Sequence, residues 1–322
     1  MDKFSNYFVG AYASSPTLNT WDNMKEIEFI NRLKEGLGKI RGLELAFWGN
    51  LHEHDEESYL RMLDKDWEFV LTTLPANMKY LELNPHFGIA SDDSMGRLEA
   101  VKMHRNANKA LKKINKYFNR QKVVVVTIAT APSLTNIKVS SSVSALTDSL
   151  RDIVSLDWEG AKLVIEHCDS GRVTNAIKGF LSIEEEIEAI LAINKEYEAD
   201  VGITINWGRS VLECRNIDGA LKHIKYAQDA KLLSGLMFSG TSDSENSDYG
   251  LWSDLHLPVQ SCESSSLMTS TDMEKCADLC KSISLHYIGI KVLAMPIDSA
   301  SLQKRVDINK ETLDALYSAF KD

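Results

Sequence analysis

The chain lacks a basic surplus. Against 36 Lys and Arg it carries 46 Asp and Glu, a net charge of −10 over 322 residues. Binders of nucleic acid or anionic membranes normally present a basic surface, so neither partner is expected. An anionic small substrate stays compatible, because one site can differ from the global balance. Long apolar runs are also missing, with none near the roughly 20 residues of a membrane helix. The opening MDKFSNYFVGAYAS has neither the basic region nor the apolar stretch of a secretory leader. Cysteine is scarce. Cys168, Cys214, Cys262, Cys276 and Cys280 are odd in number and show no disulfide-framework spacing, which suits a reducing compartment. The expectation is a cytoplasmic protein. Cys276 and Cys280, four apart on an expected helix, read as a pair of small apolar side chains. There is no linker, low-complexity tract or repeat beyond an alternation of apolar periods. GAYASSPT, after the first apolar run, is not the G-x-G-x-x-G turn that would announce a doubly wound dinucleotide-binding sheet.

What is present is that alternation. Short, β-branched apolar runs occur at 7–12, 42–48, 67–74, 122–129, 162–168, 201–207, 233–239 and 287–293. Each has the length and composition of a strand buried on both faces, as in a parallel sheet. Helical periods lie between them. WDNMKEIEFINRLKEGL starts at Asp22, a good N-cap, and puts Ile27, Ile30 and Leu33 on one stripe. A long basic helix is expected over 94–118, and Ser182 with Glu185 makes a capping-box pattern. DEESYLRML supports a short helix after the second strand. Eight strands alternating with about eight helices is the count of a single-domain (β/α)8 TIM barrel. One connection, about 240–268, is too long for a plain turn and is expected to fold over the site as a lid.

In such a barrel the active site sits at the C-terminal strand ends, and alternate residues point inward. A charged residue inside an apolar strand belongs on the inward side, because burying it unpaired against the helices is costly. Glu44 in GLELAFW, Glu166 in KLVIEHC and Lys291 in YIGIKVL are three such lone charges. Two carboxylates beside one ammonium have separated pKa values, so one can hold a proton while the other accepts one. A buried ion pair that only fixes the barrel is the alternative reading. Thr127, Asn206 and Ser239 complete the inward polar list. In NWGRS, Arg209 has the fork to grip a carboxylate or phosphate and Gly208 allows close backbone approach.

Metal-ligand types also cluster. IEHCD brings Glu166, His167 and Asp169 together, and WSDLHLP supplies Asp254 and His256 from the long connection. Glu166, His167, Asp169 and His256 are therefore the candidate ligands. Adjacent strand residues face opposite ways, so Glu166 and His167 cannot both point inward without a bulge. HEHD at 52–55 is a second possible His pair, explained equally well as a loop or helix cap. Trp48 and Trp207, with Phe47, Phe238 and Trp252, place rings near strand ends, as sugar faces require, although core packing also accounts for some. The loop SGTSDSENSDYG is acidic and does not suit the usual barrel phosphate cradle.

GLEL on the second strand and VIEHCD on the fifth resemble the xylose-isomerase-like TIM barrels, which include sugar isomerases, epimerases and endonuclease-IV-like proteins. LELAFWGNLHEHD, IEHCD, GITINWGRS and LMFSG resemble, over nearly the whole chain, a bacterial family of about this length with no assigned function. The wider resemblance implies a divalent metal (Mn, Mg or Zn) held by Glu, Asp, His and Glu on strands five to eight. The matching positions here are Glu166, Asn206, Ser239 and Lys291, so three of four ligands are replaced, one of them by a cation.

Three functions follow as expectations. The first is a carbohydrate-active isomerase, epimerase or lyase that abstracts a proton next to a carbonyl of a sugar or sugar acid. In it Glu166 is the base, Glu44 the partner acid or an orienting group, and Lys291 stands in for the metal, while Asn206, Arg209, Trp48, Trp207, Ser239 and His256 hold the substrate. The second is a metal-dependent hydrolase or isomerase with an altered site. The third is a non-catalytic sugar-binding barrel. Oligomeric state is not legible.

Overall fold

The computed structural model describes residues 2–321. Eight parallel strands close into one barrel in sequence order: β1 (Phe4–Val9), β2 (Ile40–Ala46), β3 (Glu68–Thr72), β4 (Val123–Ile128), β5 (Lys162–His167), β6 (Gly202–Asn206), β7 (Leu233–Phe238) and β8 (Tyr287–Ile290). Among the described residues ten α-helices accompany them: α1 (Asn23–Leu37), α2 (Glu56–Met62), α3 (Leu74–Leu83), α4 (Ser94–Phe118), α5 (Val143–Val154), α6 (Ile183–Tyr197), α7 (Trp207–Cys214), α8 (Gly219–Asp229), α9 (Ser270–Cys280) and α10 (Leu302–Phe320). The expected TIM barrel is the fold found.

Local chemistry explains the boundaries. The Asp22 side chain accepts from Lys25 N at the start of α1, and Ser182 and Glu185 form the reciprocal capping box of α6. Two helices escape the periodicity argument. α3 follows β3 at once and carries Pro75 in its first turn, where a missing N–H costs nothing. α7 begins at Trp207, which reads as the end of a strand, yet Asn206 caps it by accepting from Arg209 N. β1 ends three residues earlier than its apolar run, because Ala11–Ser14 winds into a 3-10 turn.

Side chains from alternate strand positions divide the interior. Phe8, Val70, Val125, Val164, Met237 and Tyr287 pack a dry floor inside the barrel. Further toward the C-terminal ends come Gly10, Glu44, Thr72, Thr127, Glu166, Asn206, Ser239 and Lys291. The opposite faces of the strands pack on the helices in one large core.

The 240–268 connection is pinned down along its length. Gly240 and Leu257 form an antiparallel bridge. Leu293 N donates to His256 O at 2.8 Å and Trp252 N to Ser242 O at 2.7 Å. Tyr249, Leu257 and Leu293 make a small apolar cluster beneath it. These bonds hold Asp254 and His256 over the strand ends.

α7 is seated closely on the end of β7. A Cβ at Gly208 would lie 2.3 Å from the carbonyl oxygen of Ser239, well inside contact distance. Because that neighbour is backbone, relief requires shifting the helix. Gly208→Ala is therefore expected to cost about 2–3 kcal/mol, as overpacking does. Urea denaturation checks this, and a variant within about 0.5 kcal/mol of the parent would contradict the close seating.

Candidate functional site

The upper layer of the barrel is a run of alternating charges. Lys291 Nζ lies 3.0 Å from Glu44 Oε2 and 3.5 Å from Glu166 Oε1. Arg209 Nη1 reaches the same Glu166 oxygen at 2.7 Å, and Arg209 Nε meets Asp254 Oδ2 at 3.1 Å. Lys178 Nζ closes on the same oxygen of Asp254. Three carboxylates thus alternate with three cations, all buried. Neutral groups hold the run in place: Asn206 Nδ2 donates to Glu166 Oε1 at 3.2 Å, and Ser239 Oγ donates to Asn206 Oδ1 at 2.8 Å. Gly10 makes the Glu44–Lys291 contact possible, since a Cβ there would sit 3.0 Å from both Glu44 Oε2 and Lys291 Cγ.

The two central glutamates are driven apart electrostatically. Burial pushes the Glu44 carboxyl up to about 7, and Lys291 recovers only part of that cost. Burial would raise Glu166 too, but Arg209, Lys291 and the Asn206 hydrogen bond outweigh it and hold the group down to about 2. Lys291 and Arg209 remain charged, because the surrounding anions more than offset burial. His256 is lowered to about 3 by burial and three nearby cations, despite Asp254. Glu44 Oε1 and Glu166 Oε2 have no hydrogen-bond partner among the described residues. One glutamate is therefore poised to gain and lose a proton near neutrality, and the other is a fixed anion.

Glu44, Glu166, Lys291, Asn206, Arg209, Ser239 and His256 share this centre. Trp48 lines an adjoining cavity of about 230 Å³ with Tyr12, Trp21, His52 and Tyr59. Tyr12, on the 3-10 turn, joins cavity to centre: its ring lies 5.7 Å from Lys291 Nζ. Trp207 does not belong to the site. It is turned outward and packs with Ile224 and Cys276 in the helix layer, because α7 starts one residue after the strand. Arg209 also differs from expectation, being committed to Glu166 and Asp254 instead of an incoming anion.

The proposed metal ligands are dispersed. Glu166 is held by two cations. His167 points to the opposite side of β5, as strand alternation requires, where its Nδ1 meets Glu186 Oε2 at 2.7 Å and its Nε2 meets Glu213 Oε2 at 3.0 Å. Burial alone would lower His167, but these glutamates bring it up to about 10. Asp169 is spent on the backbone, accepting from the amides of Ile177, Lys178 and Gly179. His256 lies beside Asp254, its Nδ1 3.5 Å from Oδ1. In HEHD, His52 Nδ1 accepts from Asp55 N at 2.9 Å, which makes it a loop cap, and its ring stacks on Tyr59.

A divalent ion does not fit the barrel centre. Of the four strand-end positions, only Glu166 is anionic. A dication there would face Lys291 and Arg209 with an amide and a hydroxyl as its remaining donors. Among the described residues the trio able to hold a metal is His167, Glu213 and His223, outside the barrel.

The model of a family described as a domain of unknown function (DUF4862) matches residues 8–308. The chain belongs to that family. It is 32% identical to the uncharacterized protein STM3670 of Salmonella typhimurium, over 99% of each chain. Among solved structures it resembles a xylose isomerase-like TIM barrel protein from Mycobacterium smegmatis in complex with magnesium. That match has TM-score 0.57 and 10% identity, and covers 99% of this chain and 98% of the other. It also resembles a sugar phosphate isomerase/epimerase from Parabacteroides distasonis. There the TM-score is 0.58 and the identity 8%, over 98% and 96% of the two chains. These likenesses establish the xylose-isomerase-like fold expected from GLEL and VIEHCD.

The opposed glutamates give stability a pH signature. Glu44 ionises near 7 in the fold but near about 4.3 in the unfolded chain. Between those values the unfolded state holds fewer protons, so this group's contribution falls as pH rises. Glu166 has the opposite sign: its contribution is present above about 4.3 and is lost as pH falls toward 2. Urea midpoints of the parent and Glu44→Gln, compared from about pH 5 to about 7.5, should diverge, with the parent falling more steeply. Parallel curves would contradict the raised Glu44 carboxyl.

Proposed function

We propose that this chain is a carbohydrate isomerase or epimerase that moves a proton next to a carbonyl without a metal at the barrel centre. The observation that carries the reading is the Glu44–Lys291–Glu166 arrangement: a carboxyl near neutrality, a permanent ammonium beside it, and a clamped carboxylate behind. General acid–base catalysis works best when the group titrates near the working pH. Glu44 meets that condition and Glu166 does not, so the base assigned to Glu166 from the sequence moves to Glu44.

In this reading the ionised Glu44 takes the proton from the carbon next to the substrate carbonyl. The electron pair of the broken C–H bond forms the enediolate, and its negative oxygen is stabilised by Lys291, a preorganised charge in a dry site. In an isomerase Glu44 then returns the proton to the neighbouring carbon while the hydroxyl proton passes between the two oxygens; in an epimerase a second donor, such as water, delivers a proton to the opposite face of the same carbon. Glu166 keeps Lys291 charged and, through Arg209 and Asp254, fixes the long connection above it. Trp48, Trp21 and Tyr59 offer ring faces to the apolar side of a sugar, while Asn206, Ser239 and His256 provide the polar contacts. The solved sugar phosphate isomerase/epimerase with the same fold supports this class by analogy. The cavity wall carries Glu26 and Glu53, which favours a neutral sugar over a phosphorylated one.

The test is exchange of solvent deuterium into bound sugars, followed by mass spectrometry. Glu44→Gln should lower exchange by about 10²- to 10⁴-fold while leaving binding within a few fold. A sugar that binds without exchange in the parent chain would instead indicate a non-catalytic sugar-binding barrel. Exchange undiminished in Glu44→Gln would remove Glu44 as the proton carrier.

A further inference from the structure

Behind β5, on the helix side, a second set of buried polar groups plays no part in the chemistry above. His167 at the end of β5, Glu213 near the end of α7 and His223 within α8 bring their donor atoms within 4.8 Å of one another. His167 Nε2 lies 3.0 Å from Glu213 Oε2 and His223 Nε2 lies 3.6 Å from Glu213 Oε1. These separations are the size of a tetrahedral edge around an ion with bonds of roughly 2.0–2.2 Å.

The outer partners match as well. Each imidazole has its Nδ1 occupied from behind: His167 by Glu186 Oε2 at 2.7 Å, and His223 by Ser210 Oγ at 3.0 Å. The Glu186 carboxylate fixes the His167 tautomer, as in carboxylate–histidine–metal relays, and the Ser210 hydroxyl, able to donate or accept, holds the His223 ring with Nε2 toward the same point. Glu186 is itself braced by Thr130 Oγ1 at 2.6 Å, and Glu213 Oε2 by Ser170 N at 2.9 Å. Cys214 adds a sulfur 3.8 Å from His223 Nε2. The two imidazoles and Glu186 are fully buried, whereas Glu213 and Cys214 are partly exposed, which leaves an entry path.

We propose that His167, Glu213 and His223 form a structural site for a zinc-class divalent ion in the helix layer, separate from the barrel centre. Nitrogen ligands with one carboxylate suit zinc, not magnesium or calcium. The ion replaces the His167 Nε2 proton, which is released on binding. It ties β5, α7 and α8 together, and α7 carries Arg209 into the centre at its other end, next to its cap Asn206.

The full-length chain, stripped with chelator and re-equilibrated with zinc chloride, should retain about one zinc per chain after gel filtration. Its Tm should rise by roughly 5 °C over the stripped form. Cobalt(II) chloride should give the intense visible bands of a tetrahedral nitrogen–oxygen site, bleached by zinc. His223→Ala and Glu213→Gln should abolish retention, and Ser210→Ala should weaken it by roughly tenfold or more. Glu166→Gln should leave the stoichiometry unchanged. If the parent chain retains no zinc and gives no cobalt bands, the cluster is only an imidazolium clamped between two glutamates and the proposal fails. It fails equally if zinc is retained but lost in Glu166→Gln and kept in His223→Ala, because that places the ion in the barrel.

Discussion

The site depends on one buried ammonium. Lys291 stands at the end of β8 with no access to water, and its charge is tolerable only because Glu44 and Glu166 lie within 3.0 and 3.5 Å. Removing either partner would leave an uncompensated charge in the barrel, a change that costs about 3–5 kcal/mol in comparable pairs. The same constraint runs outward. Glu166 needs Arg209, Arg209 needs Asp254, and Asp254 draws the long connection after β7 down over the strand ends. A loop that sequence alone presents as a lid is in this way tied by charge to the floor of the site.

That architecture changes what the barrel can do. A metal at this place would bind substrate oxygens and polarise them directly. An ammonium between carboxylates supplies one positive charge and no coordination geometry, so in the proposed reaction orientation falls to hydrogen-bonding side chains and to ring faces. Tyr12, Trp48 and Trp21 stand where such a role would be filled, at the β1–β2 side of the mouth. With Glu44 ionised, the centre also holds its charges in balance before any ligand arrives, three against three. A neutral substrate preserves that balance, whereas a phosphate would add charge beside Glu26 and Glu53.

The barrel and its central charge cluster were legible because each rests on a local rule. Lone charges in apolar strands must find partners inside the barrel, and Glu44, Glu166 and Lys291 do. Strand alternation separates Glu166 from His167, and the structure obeys it. The contacts that escaped notice join distant segments: Lys178 meets Asp254 across 76 positions, and His167 meets Glu213 across 46. Glu186, Glu213 and His223 sit on helices amid other polar residues, where a carboxylate pointing inward has the same local signature as one facing water. Trp207 misled for a related reason. A ring after an apolar strand looks like a wall of the mouth, but the chain turns into α7 at that residue and carries the ring into the helix layer.

α7 is the element through which the two polar clusters can influence one another. Its first residues are fixed at the centre: Asn206, the cap, bonds Glu166, and Arg209 bonds both Glu166 and Asp254. Its last turn places Glu213 against His167, the residue that follows Glu166 on β5. Two adjacent residues of one strand thus grip opposite ends of one eight-residue helix, one from inside the barrel and one from outside. His167 holds Glu213 in the last turn of α7, while Gly208 leaves that helix no slack against β7. A short helix held at both ends transmits displacement as a rigid body. The polar residues of the helix layer and those of the barrel centre therefore share one helix.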